Sequence, residues 1–356
     1  MKALRMTSAI RKKNGLSLRP AEVAKIGAKF PKAPDGKIYI DAVFEGGGVR
    51  GLAFLGALRA LDDAGIRIRK VAGTSAGAIT AAIVASGMEQ SAVEANVYGM
   101  NFMDLLKKKT KPGLIMNGDP SDDVDNMGLM LANLALVGAR GQYKTDPLFD
   151  WMTGVLKGRL DTFGALKTGK EWFQKRELKI VISDISAGEM RCCPTDLALY
   201  GVVPEKFSVA EAVRLSMSIP LFFEPGTLGG NTIVDGGILS SFPLATFDCP
   251  IGQTPNCPTL GFRLSAPSQA PKKVTSAFGV VGAMLQTMLV AHDRRYARLH
   301  DQHRIVDLTS SEISITKFSL TDADKETLYV RGYKETKAFL LNEWSWDLYL
   351  ADRSAM

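Results

Sequence analysis

Two strand, glycine-turn, helix units follow one another between residues 38 and 86, and they constrain this chain more than any other feature. In the first, the apolar run Ile38-Tyr39-Ile40-Asp41-Ala42-Val43-Phe44 breaks into Glu45-Gly46-Gly47-Gly48-Val49-Arg50-Gly51 and then into an apolar helix. In the second, a short strand from Ile66 to Ala72 runs into Gly73-Thr74-Ser75-Ala76-Gly77 and a small-residue helix from Ala78 to Ser86. Strands that alternate with helices in this way imply a mostly parallel central sheet covered by helices on both faces, an α/β fold. At 356 residues with 46% hydrophobic content, the chain can bury one large core.

The two turns offer complementary chemistry. Gly73-Thr74-Ser75-Ala76-Gly77 has the form G-x-S-x-G, which sets a serine hydroxyl on a sharp bend at a helix N-terminus. Gly46, Gly47, Gly48 and Gly51 can turn several backbone N–H groups into one concavity beside the positive end of a helix, a setting for an oxyanion or a phosphate. Downstream, Thr232-Ile233-Val234-Asp235-Gly236-Gly237 presents a carboxylate at a strand end beside flexible backbone. Asp235 could serve as base for Ser75. The glycine loop also fits the dinucleotide pattern G-x-G-x-x-G, but the next acids, Asp62 and Asp63, come too early for a ribose contact about 20 residues on.

With these residues in place, the chain resembles the patatin-like phospholipases, a family of bacterial and plant lipid acyl hydrolases. The three motifs stand in the family's order with family-like spacing and without departure, over roughly residues 38 to 265. Arg214-Leu215-Ser216-Met217-Ser218-Ile219-Pro220 looks like the family's segment before its catalytic aspartate. The resemblance implies a three-layer α/β/α fold, a Ser75–Asp235 dyad, and an oxyanion hole on the N–H groups of Gly47 and Gly48. Arg50 would help electrostatically or hold the loop. The expected reaction is hydrolysis of carboxylic esters of glycerophospholipids or related lipids through an acyl-enzyme, with no cofactor and no metal.

Chain order permits one rival: a hydrolase triad of Ser75, Asp235 and one of His292, His300 or His303. Arg294, Arg295, Arg298 and Asp301 surround these histidines, which fits a charged helix face better than a loop delivering an imidazole. A carboxylate can act as base if burial brings its pKa toward the working pH, so the dyad is the preferred expectation. Asp184, at the end of the strand Leu178 to Ile185, is read as structural.

Charge is uneven. Ten Lys and Arg fall in residues 1–37 against Glu22 and Asp35, whereas the rest of the chain is close to neutral. This segment is expected to be a basic, solvated arm, with anionic lipid headgroups as its other partner. Nucleic acid is not expected, since the segment lacks interleaved aromatics and any recognised module. Residues 98–143 carry five methionines, three lysines at 107–109 and the acidic loop Asp119 to Asp125. Lying between nucleophile and acid, they are expected to form a lid or cap over the substrate. Residues 266–356 are expected to be a mostly helical extension on the same domain, with a helix after Thr321 and a frayed tail from Trp344.

Cys192, Cys193, Cys249 and Cys257 show neither metal-ligand spacing nor a disulfide framework, which suits a reducing compartment. There is no signal-like apolar run after the N-terminal charges and no stretch of membrane-spanning length. A cytoplasmic or membrane-peripheral location is therefore expected, with leaderless secretion as the route of any export.

Overall fold

The computed structural model describes residues 2–108, 140–250, 252–265, 299–310 and 317–354, with single positions 284, 287, 288, 313 and 315. The chain starts with helices α1 (Lys2–Asn14) and α2 (Pro20–Gly27), then enters the sheet as β1 (Ile38–Phe44). The first glycine loop follows and leads into α3 (Ala53–Asp63), β2 (Ile66–Thr74), α4 (Ala76–Ala85) and α5 (Gln90–Tyr98). Next come β3 (Lys107–Lys108), β4 (Gly141–Lys144), α6 (Asp146–Leu156), β5 (Glu177–Asp184) and β6 (Glu189–Cys193). Helix α7 (Val209–Ser216), β7 (Leu221–Phe223), β8 (Gly226–Leu228), β9 (Asn231–Asp235) and β10 (Thr259–Ser265) complete the region of the motifs. The chain closes with β11 (Ile305–Thr309), α8 (Asp322–Ala338) and α9 (Trp346–Ser354).

The main sheet runs in the order β11, β10, β1, β2, β5, β9, β8, with β6 also paired to β5. Its first five strands are parallel. Ile40, Ala42, Val43 and Phe44 are all buried, as a parallel strand covered on both faces requires, which is why β1 reads as a continuous apolar run. Phe44 lies edge-on to Phe54 of α3 and stacks on Phe262 of β10, so that face is closed by helices. On the other face Val43, Ala72, Phe242, Leu244 and Ile305 form a smaller cluster under the 3-10 turn Leu244–Phe247.

Beyond β5 the sheet becomes mixed, because β6, β8 and β9 join by short antiparallel pairings. Residues 177–181 of β5 pair with β2, residues 182–184 with β9, and residues 180–184 with β6. A strand has two edges, so β2 and β9 must share one and meet end to end along it. Asp184 is structural here: it accepts from the backbone of Ser186 and Ala187 and from Tyr200 and Asn231. β4 pairs with β3 and β7 in a separate three-stranded sheet.

Three expectations need correcting. Residues 1–37 are two packed helices instead of a solvated arm: Ile10, Leu16, Ile26 and Phe30 are buried, and Phe30 stacks on Trp344. Arg11 and Lys13 reach Asp63 and Glu326 at 2.6 and 2.8 Å, and Lys29 donates to Leu341 O. The charge count was legible in the sequence, but the apolar residues spaced between the charges decide the outcome. The tail is likewise a packed helix through Ser354, with Trp344 only 1% exposed. The C-terminal segment, expected to be mostly helical, also supplies the edge strand β11; Thr321 does cap α8, accepting from Asp324 N. Helix α8 packs on α3 at backbone contact, since a Cβ at Gly56 would lie 2.0 Å from Tyr329 O.

The lid expectation falls mostly on residues 109–139, outside the described residues. No described helix is long and apolar enough to cross a membrane.

Candidate active site

β2 ends at Thr74 and α4 begins at Ala76, so Ser75 alone makes the bend between them. It has φ 54° and ψ −123°, in the left-handed half of backbone space that a residue with a Cβ rarely adopts. Strain of this kind persists only where the surroundings over-determine it. Here the Ser75 N–H donates to Ser216 Oγ at 2.9 Å, and that hydroxyl donates to Val181 O at 2.6 Å, so a fully buried serine ties the elbow to β5. Gly77 allows the close approach, because a Cβ there would lie 2.1 Å from Phe44 O.

Asp235 arrives at the end of β9, opposite Ile182, while Thr74 is opposite Val181. Consecutive register on one edge of β5 thus delivers both residues to the same place. Ser75 Oγ donates to Asp235 Oδ2 at 2.6 Å, and both residues are buried, 4% and 1% exposed. The other carboxylate oxygen accepts the Gly237 N–H at 2.7 Å, and Asp235 N–H donates to Ser218 O. Burial pushes the Asp235 carboxyl up to about 7; the hydrogen bonds from Ser75 and Gly237 pull the other way and are outweighed. Ser183 holds Gly236 O at 3.1 Å, and Thr74 holds Ser240 O at 3.0 Å, which fixes the Asp-Gly-Gly turn. Met217 Sδ lies 3.3 Å from Ser75 Oγ.

The first glycine loop lies against the nucleophile: a Cβ on Gly46 would come within 3.3 Å of Ser75 Cβ. Gly46 N–H donates to Ser241 O and Val49 N–H to Ile315 O. The N–H groups of Gly47 and Gly48 have no hydrogen-bond partner among the described residues. Gly48, at φ 55°, leads the 3-10 turn Gly48–Leu52 that runs into α3, so these amides sit at the positive end of a helix. Of the two roles left open for Arg50, its contacts are those of a loop holder. The side chain is 9% exposed and its Nε donates to Ile313 O. Burial lowers the Arg50 pKa and Glu45 opposes that.

The structure therefore brings together Ser75, Asp235, Gly46 to Gly51, Gly73, Gly77, Gly236 and Gly237. It does not bring a histidine: none is a hydrogen-bond partner of Ser75 or Asp235 among the described residues. His303 pairs with Asp352 of α9 at 2.6 Å and is 44% exposed; His292 lies outside the described residues. Sequence reasoning quoted Ser216 within a motif without a role, and it missed the hold of the 313–315 segment on the glycine loop. A lone serine in an apolar helix turn carries no local signal for such a task. Chemically, the arrangement can move a proton between a serine hydroxyl and a carboxylate of near-neutral pKa, beside two free amide donors.

A three-layer α/β fold with a serine on a strand-to-helix elbow defines the class of protein. Within that class the chain belongs to the patatin-like phospholipase family, whose model matches residues 42–248. It is 36% identical over 316 residues to the uncharacterized protein YqhO of Bacillus subtilis, covering 87% of this chain and all of that one. It is 26% identical over 223 residues to the probable lipid hydrolase 463L of Invertebrate iridescent virus 6, covering 62% of this chain and 67% of the other. Among solved structures, VipD from Legionella pneumophila superposes with a TM-score of 0.54 at 19% identity, over 88% of this chain and 70% of that one, a likeness of fold.

Proposed function

We propose that the protein is a lipid acyl hydrolase that cleaves carboxylic ester bonds of glycerophospholipids, with Ser75 as nucleophile and Asp235 as its base. The observation that carries this reading is the 2.6 Å contact between Ser75 Oγ and a buried carboxylate whose pKa burial sets at about 7. Family membership and the relative described as a probable lipid hydrolase support a lipid substrate.

Ser75 Oγ attacks the ester carbonyl as Asp235 Oδ2 takes its proton. The oxyanion that forms is held by the N–H groups of Gly47 and Gly48, each such donor contributing about 2.7–4 kcal/mol to the transition state. As the carbonyl re-forms, the C–O bond to the alcohol breaks and Asp235 returns the proton to the leaving oxygen. Water then attacks the acyl-Ser75 ester with Asp235 again as base, releasing the fatty acid and regenerating the hydroxyl. The exposed cations of α1 and α2, such as Arg5, Lys12 and Lys25, are the groups available for contact with an anionic lipid surface.

The test is hydrolysis of a fluorogenic phospholipid and a soluble short-chain ester by the wild type, Ser75→Ala, Asp235→Asn and the triple variant His292→Ala/His300→Ala/His303→Ala. Loss in the first two variants with activity kept in the third supports the dyad, and a preference for phospholipid supports the substrate class. Full activity in Ser75→Ala would overturn the reading, and loss in the folded triple variant would transfer it to a histidine triad.

A further inference from the structure

A cavity of about 720 Å³ opens at the end of the sheet opposite Ser75. Its wall includes Arg67 near the start of β2, whereas Ser75 follows the end of that strand, about 25–30 Å away at the rise of an extended chain. The volume lies within the range of small-molecule sites. Leu61, Ile66 and Val93 give it a buried apolar floor, and Tyr39 and Phe173 add aromatic faces.

The charges around it do not cancel. Arg69 is committed to Asp41 and to Trp172 O, Lys37 lies 3.3 Å from Asp35, and on the acidic side Asp62 is paired with Arg59. Arg67 and Arg176 remain without a carboxylate partner among the described residues, against the single acid Glu89. Arg176 is the more telling of the two. Its Nη2 donates to Val84 O in the last turn of α4, which satisfies a helix carbonyl but leaves the positive charge uncompensated. Burial without a counter-charge accordingly pulls its pKa down.

Guanidinium groups beside a cleft with an apolar floor and two aromatic rings in its wall select a ligand with an acidic head on a hydrophobic body. We infer that this cavity binds an anionic amphiphile, a single carboxylate or phosphate monoester head held by Arg67 and Arg176 with its chain on the apolar floor. It is a second site, separate from the place where Ser75 and Asp235 meet. A long-chain carboxylate, the product of the reaction proposed above, belongs to this class; that link alone rests on the proposed function.

Calorimetric titration of the full chain with dodecanoate, dodecyl phosphate, dodecanol and inorganic phosphate, each below its aggregation concentration, tests the inference without turnover. At least one of the two amphiphiles is expected to bind ten times or more tighter than dodecanol and phosphate, and the tighter one identifies the head group. Arg67→Gln/Arg176→Gln should weaken that binding tenfold or more, Arg67→Lys/Arg176→Lys should retain most of it, and Met88→Trp, which fills the cavity, should abolish it. The thermal midpoint of each variant separates a lost site from a lost fold. Absence of binding, equal affinity in the wild type and the double Gln variant, equally tight binding of inorganic phosphate, or displacement by fluorophosphonate labelling of Ser75 would each overturn the inference.

Discussion

Ser75 Oγ stands 2.6 Å from Asp235 Oδ2 because the strands that carry them meet end to end on one edge of β5. Thr74 takes the place opposite Val181 and Asp235 the next one, opposite Ile182. The separation is therefore set by sheet register, which is stiff, instead of by a loop. The geometry also makes Asp235 a buried acid with a pKa of about 7 and no cation in contact with it among the described residues.

Activity should follow the ionisation of that acid. As a base Asp235 works only when deprotonated, so kcat/KM should rise with pH through a midpoint near 7 and level off above about pH 8. On the acid side it should fall tenfold per pH unit. Asp235→Asn should lower kcat by about 10²–10⁴. A profile flat from pH 5 to 9 in the wild type would contradict this assignment.

The same burial has a cost in stability. A folded-state pKa of about 7 against an ordinary 3.8 means that the folded protein prefers the neutral acid. Asp235 thus favours folding most below about pH 4, and its contribution is lost as pH rises through about 7. The full shift corresponds to about 4 kcal/mol, an upper bound. Asp235→Asn should therefore unfold at higher denaturant than the wild type at pH 8, with the advantage shrinking toward pH 4. Urea melts at the two pH values would show it.

Gly47 and Gly48 should differ in what they tolerate. Alanine at Gly48 would place a Cβ 1.9 Å from Ile315 O at φ 55°, so backbone must move; a loss of at least about 2 kcal/mol and most of the activity is expected. Alanine at Gly47, whose φ of 174° lies outside the left-handed region, clashes only with the tip of the Leu264 side chain, which can turn away. It should fold nearly as well as the wild type. Melting curves and initial rates of the two variants check the ranking.

Ser216→Ala removes the acceptor of the Ser75 N–H and the donor to Val181 O, leaving buried groups unpaired at about 1–3 kcal/mol each. Because the elbow then loses its tie to β5, kcat should fall 10–100-fold with little change in KM. Ser216→Cys, a weaker partner, should lie between. A KM effect alone would contradict a role in holding the nucleophile.

His303→Ala should leave activity within twofold of the wild type, because its partner is Asp352 on α9 and the pair is solvent-exposed. Such pairs contribute at most about 1 kcal/mol to stability. Rates on the soluble ester suffice to check it.

Much of the frame was legible in the sequence, because strands buried on both faces and glycine turns leave local signatures. The run Ile38–Phe44 is β1 residue for residue, and the strands at 66, 178 and 232 lie within two residues of their observed bounds. The elbow serine and the Asp-Gly-Gly acid stood out because their neighbours are the residues such turns require. What only the tertiary structure decided is how residues 160 positions apart come into contact. The antiparallel entry of β9 onto the β2 edge of β5, the hydroxyl of Ser216 beneath the elbow and the grip of Ile313 and Ile315 on the glycine loop all depend on long-range packing, which leaves no periodicity in the chain. Packing likewise turned a basic N-terminal segment into two helices of the core. Charge is counted residue by residue, but burial of Ile10, Leu16, Ile26 and Phe30 is a property of the surfaces they meet.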